Sequence, residues 1–394
     1  MSSTSATERR PGVSAGAQPE RRAGEHRTDW SRPGAARSVH YDAIVVGGGV
    51  IGLACAREAA RQGLSVVVLE RETVGSGASG VATGMLAPVT EADFGEARLL
   101  RMNLAARELW PAFASELGLG SALREDGALV VAADRDDAEE LRRLHGLQRE
   151  LGLQAQWLGP SALRRVEPGL SPRVAGGIDA PGEASVEPSL VLDALVETLR
   201  AEGGELREGA SVAELLRADG RIAGVRLESS EEVRGQTVVL AAGAWSAELG
   251  AGSVRPVKGQ LLELRVRGAR AAPLGRVVRT PRCYLVPREG GRVILGATVE
   301  EQGFDTAVTA DGVFRLLEHA REVLPDVGEL ELVRARAGLR PGTPDNLPLV
   351  GPGAEEGLVL ATGHHRNGVL LAPLTAELVA GELTGERSQA LASA

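Results

Sequence analysis

Cysteine is nearly absent from this chain. Cys55 and Cys283 are the only two in 394 residues, and they lie far apart in no C-x-x-C arrangement. That excludes a disulfide framework and a cysteine zinc site, and it suits a reducing cytoplasm. No apolar run approaches the ~18 residues that a membrane span needs. An excess of basic charge is missing too. The formal net charge is −9, which argues against a nucleic-acid partner, because phosphate binding needs a basic face. An anionic substrate must then be gripped by a local arginine cluster. Neither the Gly-Lys-Ser/Thr of a P-loop nor a G-x-S-x-G nucleophile elbow is present.

What the chain does hold is 43% hydrophobic and 25% charged residues, an ordinary globular balance. Its length accommodates two domains, or one large α/β domain with an insertion. Residues 1–39 differ from the rest. They are rich in Ser, Arg, Gly, Pro and Glu and read as a disordered tail. Arg9-Arg10 and Arg21-Arg22 look like twin-arginine signals, but neither precedes an apolar segment.

Order begins at Asp42. Asp42-Ala43-Ile44-Val45-Val46 reads as a strand buried on both faces. Gly47-Gly48-Gly49-Val50-Ile51-Gly52 follows, then an Ala-rich helix from Leu53 to Gln62, stopped by Gly63. Val66-Val67-Val68-Leu69 is a second strand, with Glu70 at its carboxyl end. Strand, G-x-G-x-x-G, helix, strand and acid form a dinucleotide-binding pattern. Gly47 allows the tight turn, Gly49 lets backbone N–H groups approach a pyrophosphate, and Gly52 lets helix and strand pack closely. Glu70 can accept both hydroxyls of an adenosine ribose.

The glycine- and serine-rich stretch from Gly75 to Leu86 suggests backbone lying against a ligand, or else a flexible loop. Helical spacing runs from Leu99 to Leu117 and from Asp136 to Leu151, and Ser161 reads as the N-cap of a further helix. Another helix opens at Pro188-Ser189. A hairpin turns at Asp219-Gly220, and Thr237 to Leu240 forms a buried strand ending in Ala241-Ala242-Gly243-Ala244-Trp245-Ser246. Between Lys258 and Val299 strand-like runs alternate with turns, as in an antiparallel sheet inserted into the nucleotide fold. The strand Leu358 to Ala361 then leads through Gly363-His364-His365-Arg366-Asn367-Gly368 into a long apolar helix. Its glycine-preceded N-terminus is a second anion-stabilising device.

With these motifs in hand, the chain resembles the D-amino acid oxidase superfamily of FAD enzymes, and within it the glycine oxidases of the thiamine-pathway type. The resemblance runs from about Tyr41 to Gly385. Its most specific stretches are Cys283-Tyr284-Leu285-Val286-Pro287-Arg288, Ala337-Gly338-Leu339-Arg340-Pro341-Gly342-Thr343 and residues 363–368, and Pro256-Val257-Lys258-Gly259-Gln260 is a further match. Thr83-Gly84-Met85-Leu86 and Val186-Glu187-Pro188 match as well.

The resemblance implies an α/β fold in which a Rossmann-like FAD-binding domain (40–90, 185–255 and 337–386) is interleaved with an antiparallel-sheet substrate domain (91–184 and 256–336). Residues 387–394 would be a C-terminal tail. It implies non-covalent FAD at Gly47, Gly49, Val50, Ile51, Gly52, Glu70, Arg71, Ala78, Ser79, Thr83, Gly84, Met85 and Val212. The same set continues with His364, His365, Arg366, Asn367, Gly368, Val369 and Leu370. A small amine's carboxylate would be held by Tyr284, Arg340 and Arg366, since a guanidinium fork matches a planar carboxylate. The implied reaction passes hydride from an α-carbon to flavin N5, with O₂ as acceptor, in thiazole formation for thiamine. No acid–base residue is required, no metal is expected, and relatives of this type form homotetramers.

Plainer readings stand beside these. By spacing alone Arg340 could alternate onto a solvent face after Arg334 and Arg336, and Tyr284 could be core or edge. Arg366 beside two histidines could suggest a metal, but no third ligand is in sight. Cys283 could anchor a flavin covalently, although its position does not match such relatives. Val299 stands where the resemblance implies a methionine, so sarcosine, N-ethylglycine or small D-amino acids come within range. A sarcosine or D-amino acid oxidase or dehydrogenase, and a catalytically idle flavoprotein, are the competing functions.

Overall fold

Successive side chains of a strand point to opposite faces, and the strand His40–Val46 uses both. Ala43 and Val45 join a core shared with helices, while Ile44 and Val46 join a separate core on the other side. The computed structural model describes residues 40–268 and 272–385. The tails expected at 1–39 and 387–394 lie outside the described residues.

His40–Val46 is the middle of five parallel strands. Their order is Leu358–Thr362, Glu232–Leu240, His40–Val46, Val66–Leu69 and Glu205–Arg207. Leu349–Pro352 adds an antiparallel edge. The hairpin Val212–Ala218 and Arg221–Leu227 extends from Glu232–Leu240. Asp219 and Gly220 both have positive φ at its tip (52° and 79°), which is the geometry a two-residue hairpin turn demands.

The helix Val50–Arg61 packs against Pro188–Ala201 and Gly368–Thr384 on one face of this sheet. Ala54, Ala56 and Ala59 are wholly buried, and their small side chains let the helices close on one another. Gly368–Thr384 is buried from Val369 to Ala376 and again at Leu378, Val379 and Ala380, as expected of a helix that is apolar nearly all round. Ala97–Glu116 covers it from outside. There Trp110 donates from Nε1 to the Leu370 carbonyl (2.9 Å) and meets Phe113 edge-on at 5.3 Å.

The second sheet has eight strands. Their order is Glu331–Gly342, Arg255–Arg265, Arg292–Gly296, Tyr284–Arg288, Val277–Arg279, Ala128–Ala132, Gly176–Ala180 and Gln156–Leu158. Every pairing is antiparallel except Val277–Arg279 with Ala128–Ala132. The helix Ala310–Val323 closes its far face over Leu262, Leu264 and Leu295.

Two expectations change. The helix Pro160–Val166 is capped by Gly159, with Pro160 at its first position and Ser161 already inside. Proline's fixed φ suits that first position, and the helix starts two residues sooner than a Ser161 cap implies. The divide expected between residues 336 and 337 falls inside one continuous strand, Glu331–Gly342. That strand pairs with Arg255–Arg265 from Arg265↔Glu331 to Arg255↔Gly342.

Replacing Trp110 with Phe removes its bond to the Leu370 carbonyl and part of a fully buried ring. The expected loss is about 1–3 kcal/mol of stability, read as a lower denaturant midpoint. An unchanged midpoint would show that this contact does not hold the helix.

Candidate active site

At the end of the first strand the chain turns at Gly47, with φ 112°. A Cβ on Gly52 would run into the Gly47 carbonyl, so strand and helix approach as closely as backbone allows. The helix begins at Gly49 with no side-chain cap of its own, and the Val50 N–H donates to Ser79 Oγ at 2.9 Å. The Glu70 carboxylate accepts from Gly48 N–H (2.7 Å) and Glu72 N–H (2.9 Å). Gly47, Gly49, Val50, Glu70 and Ser79 border a cavity of about 720 Å³ lying between the two sheets.

All but three of the residues expected to bind cofactor or substrate line this cavity. The exceptions are Gly52, Asn367 and Leu370. Gly52 faces the Gly47 carbonyl, and Asn367 and Leu370 are buried in the packing behind the wall, where Leu370 accepts from Trp110.

The second sheet contributes Tyr284 and Arg340. Gly296 lies opposite Tyr284, and a Cβ there would come within 2.7 Å of the phenol oxygen. A Cβ on Gly259 would overlap the Arg340 guanidinium. Two missing side chains therefore make room for two ligand groups. Arg340 donates to the Thr298 carbonyl (3.1 Å) and, more weakly, to the Lys258 carbonyl (3.5 Å), and makes no ion pair among the described residues. Lys258 itself is buried and paired with Asp305 at 2.7 Å.

Arg366 comes from the other sheet's last crossover and is differently placed. Its guanidinium is already engaged by Glu96 (2.9 Å) and Glu91 (3.5 Å). Glu91 also approaches Arg279 at 3.8 Å, and Arg279 donates to the Thr90 carbonyl. No local signal marks Glu91 and Glu96 as its partners, because they lie 275 and 270 residues before Arg366.

His365 adopts a positive φ of 47° and leaves a buried Nδ1 without a hydrogen-bond partner among the described residues. Burial, with the positive charges of Arg340, Arg366 and Arg255, pushes its pKa down to about 4. Burial alone pushes His364 down to about 3, and its Nε2 lies 2.9 Å from Thr375 Oγ1. Burial also drives the Cys283 thiol up to about 11, so it stays protonated and unreactive. Arg71 stacks over the Trp245 ring at 3.6 Å, and Trp245 meets Phe304 at 5.5 Å. Val299 stands at the rim, 72% exposed. No group of three or more metal-ligating side chains occurs among the described residues.

A glycine turn into a helix N-terminus, a buried acid at the next strand's end and small residues along one wall are what a dinucleotide needs. The volume lies within the range of ligand pockets, roughly 300–1,000 Å³. The site thus defines a dinucleotide-dependent enzyme. The family described as FAD dependent oxidoreductase (DAO) matches residues 42–382, and the chain belongs to that family. Among its relatives is the glycine oxidase of Geobacillus kaustophilus, 37% identical over 361 residues, covering 86% of this chain and 92% of the relative. The bifunctional protein ThiO/ThiG of Trichormus variabilis is 36% identical, across 89% of this chain and 54% of its own length. The crystal structure of the Geobacillus kaustophilus glycine oxidase superposes with a TM-score of 0.83 at 35% identity, covering 89% of this chain and 96% of the other.

Both histidines are held neutral, which fixes a pH response. Unfolded, they take up protons near pH 6.5; folded, only near 4 and 3. Between these values the unfolded chain binds more protons, so stability should fall as pH drops from about 6.5 towards 4. Thermal unfolding across that window, compared with His365→Asn, checks this. The variant should show the shallower decline.

Proposed function

We propose that this enzyme oxidises glycine: glycine, water and O₂ give glyoxylate, ammonia and H₂O₂. The observation that carries the reading is Arg340, a guanidinium with only backbone carbonyls for partners among the described residues, in the cavity that Tyr284 also lines. Such a group is a ready seat for a carboxylate. Arg340 would take the substrate's acid end, and the Tyr284 hydroxyl would donate a hydrogen bond to it. Together they would fix the direction of the α-carbon, which is where positioning contributes most to rate. Gly259 and Gly296 keep these two groups in place by presenting no side chain of their own.

Bound FAD supplies the acceptor for the hydride leaving the α-carbon. Gly47, Gly49, Val50 and Ser79 would face its pyrophosphate, and Glu70 its ribose. Arg366 enters the reading as a guanidinium shared with Glu91 and Glu96, so its claim on the substrate is weaker than Arg340's. The neutral amine's lone pair assists hydride loss, so no protein base is needed at the carbon. The low proton affinity of His365 agrees with its standing by as a neutral ring.

The named activities of the relatives support glycine as substrate, and the ThiO/ThiG relative supports a place in supplying the imine for thiazole formation. O₂ as acceptor, a homotetrameric assembly and a cytoplasmic setting belong to the same proposal. Free, buried Cys55 and Cys283 suit a reducing compartment. The exposed Val299 at the rim favours a second substrate group, sarcosine and small D-amino acids, alongside glycine.

Arg340→Ala should retain the flavin absorption band while kcat/KM for glycine falls about a hundredfold, the scale of a lost charge-assisted pair. Gly259→Ala should raise KM in the same direction by displacing the guanidinium. Unchanged kinetics in Arg340→Ala would contradict the carboxylate assignment. Peroxide release with none of glycine, sarcosine or D-alanine would favour an idle flavoprotein.

A further inference from the structure

Behind the small-residue strip that borders the main cavity lies a second one, of about 290 Å³. Gly75 and Ala82 line both cavities, so the strip is the wall between them. The second cavity is walled by Arg288, Arg292, Arg334 and Arg336, with Glu187 and Asp193 the only acids among its lining. Val186-Glu187-Pro188 and Arg288 belong to motifs that the proposed reaction leaves without a role.

These arginines are not an ordinary solvated cluster. The Arg288 side chain is 3% exposed. It donates to the Thr83 and Val186 carbonyls and to Ser185 Oγ, yet among the described residues its Nε has no hydrogen-bond partner and lies 3.7 Å from Glu187. Arg336 donates to the Gly80 carbonyl at 2.7 Å, and its buried Nε is also unpartnered. Burial, with Arg124 and Arg292 beside it, pushes Arg288 down to about 10. Burial and Arg334 lower Arg336. The acids present do not balance this. Glu187 serves Arg292 (2.7 Å), and Glu263 is divided between Arg334 (2.5 Å) and Arg292 (3.4 Å). Four guanidiniums thus face three carboxylates, Glu187, Asp193 and Glu263. The N-terminus of the 14-residue helix Pro188–Ala201, which has no side-chain cap, opens on the same space through Pro188 and Ser189.

We propose that this second cavity binds a small phosphate-bearing anion, against the back of the strip that borders the dinucleotide cavity. Donors reach it from three strands of the antiparallel sheet and from a helix start, so they come from several directions. That suits a tetrahedral oxyanion better than a planar carboxylate. The volume is near the lower end for small-ligand pockets, roughly 300 Å³, enough for a phosphate on a compact organic body. Because Arg288 and Arg336 hold the strip by the Thr83 and Gly80 carbonyls, an occupant paired with them would stiffen the wall of the main site.

The test uses inorganic phosphate on the flavin-loaded full chain, with sodium chloride at matched ionic strength as control. Calorimetric titration and thermal unfolding should show saturable binding and a raised midpoint with the flavin retained. Arg292→Gln with Arg334→Gln, two partly exposed positions that do not hold the strip, should weaken that binding by about tenfold or more. Arg334→Gln alone, at the more exposed position, should give a smaller loss. Four results would overturn the proposal: no effect beyond chloride, an equal effect in the double variant, release of flavin by phosphate, or saturation by malonate in place of phosphate. Turnover of glycine plays no part in the measurement, so the two proposals fail separately.

Discussion

The hydrogen bond from Gly48 N–H to the Glu70 carboxylate, 2.7 Å long and buried, ties together the carboxyl ends of the two central parallel strands. With the Gly47 turn beside it, this bond fixes where the first helix starts and how its backbone donors face the cavity. Bonds to a charged acceptor at a buried position are among the stronger ones a fold can make. The neighbouring walls meet this corner closely, Ser79 through its hydroxyl on one side and Ala241 through its backbone on the other.

Around that corner the cavity is asymmetric in charge satisfaction. Arg366 is held by two carboxylates from the segment that precedes the helix Ala97–Glu116. Among the described residues Arg340 leans only on carbonyl dipoles. A guanidinium surrounded by dipoles keeps most of its net charge available, whereas one between carboxylates is largely neutralised. The same positive field reaches His365 and disfavours its protonation. The site therefore offers one strong anchor for an anion instead of two equal ones, next to a neutral ring.

The strip from Gly75 to Met85 is thin because its residues are small, and it is supported from behind by Arg288 and Arg336 through backbone carbonyls. Support through carbonyls leaves the strip's side chains free to face the cavity. It also places two buried cations close to a surface that a dinucleotide must approach. The family relation accounts for the front of this wall, and the arginine pocket behind it is a separate feature of the same architecture.

Much of this was readable in the residues. The apolar run from Ala43 to Val46, the Gly47 to Gly52 turn and Glu70 specified the strand, helix and acid, because each depends on local spacing and on side-chain size. The Asp219-Gly220 turn was legible for the same reason, and the motif stretches around Tyr284 and Arg340 marked the residues that face the cavity. Other features were decided only in three dimensions. Whether Gly52, Asn367 and Leu370 face the ligand or the core depends on which helix packs behind them. That Arg366 meets Glu91 and Glu96 depends on a chain reversal spanning some 270 residues. The parallel pairing of Val277–Arg279 with Ala128–Ala132 depends on which strands a folded sheet brings alongside. Local sequence sets conformation and polarity at each position, while long-range packing alone chooses the partners that satisfy or leave open each charge.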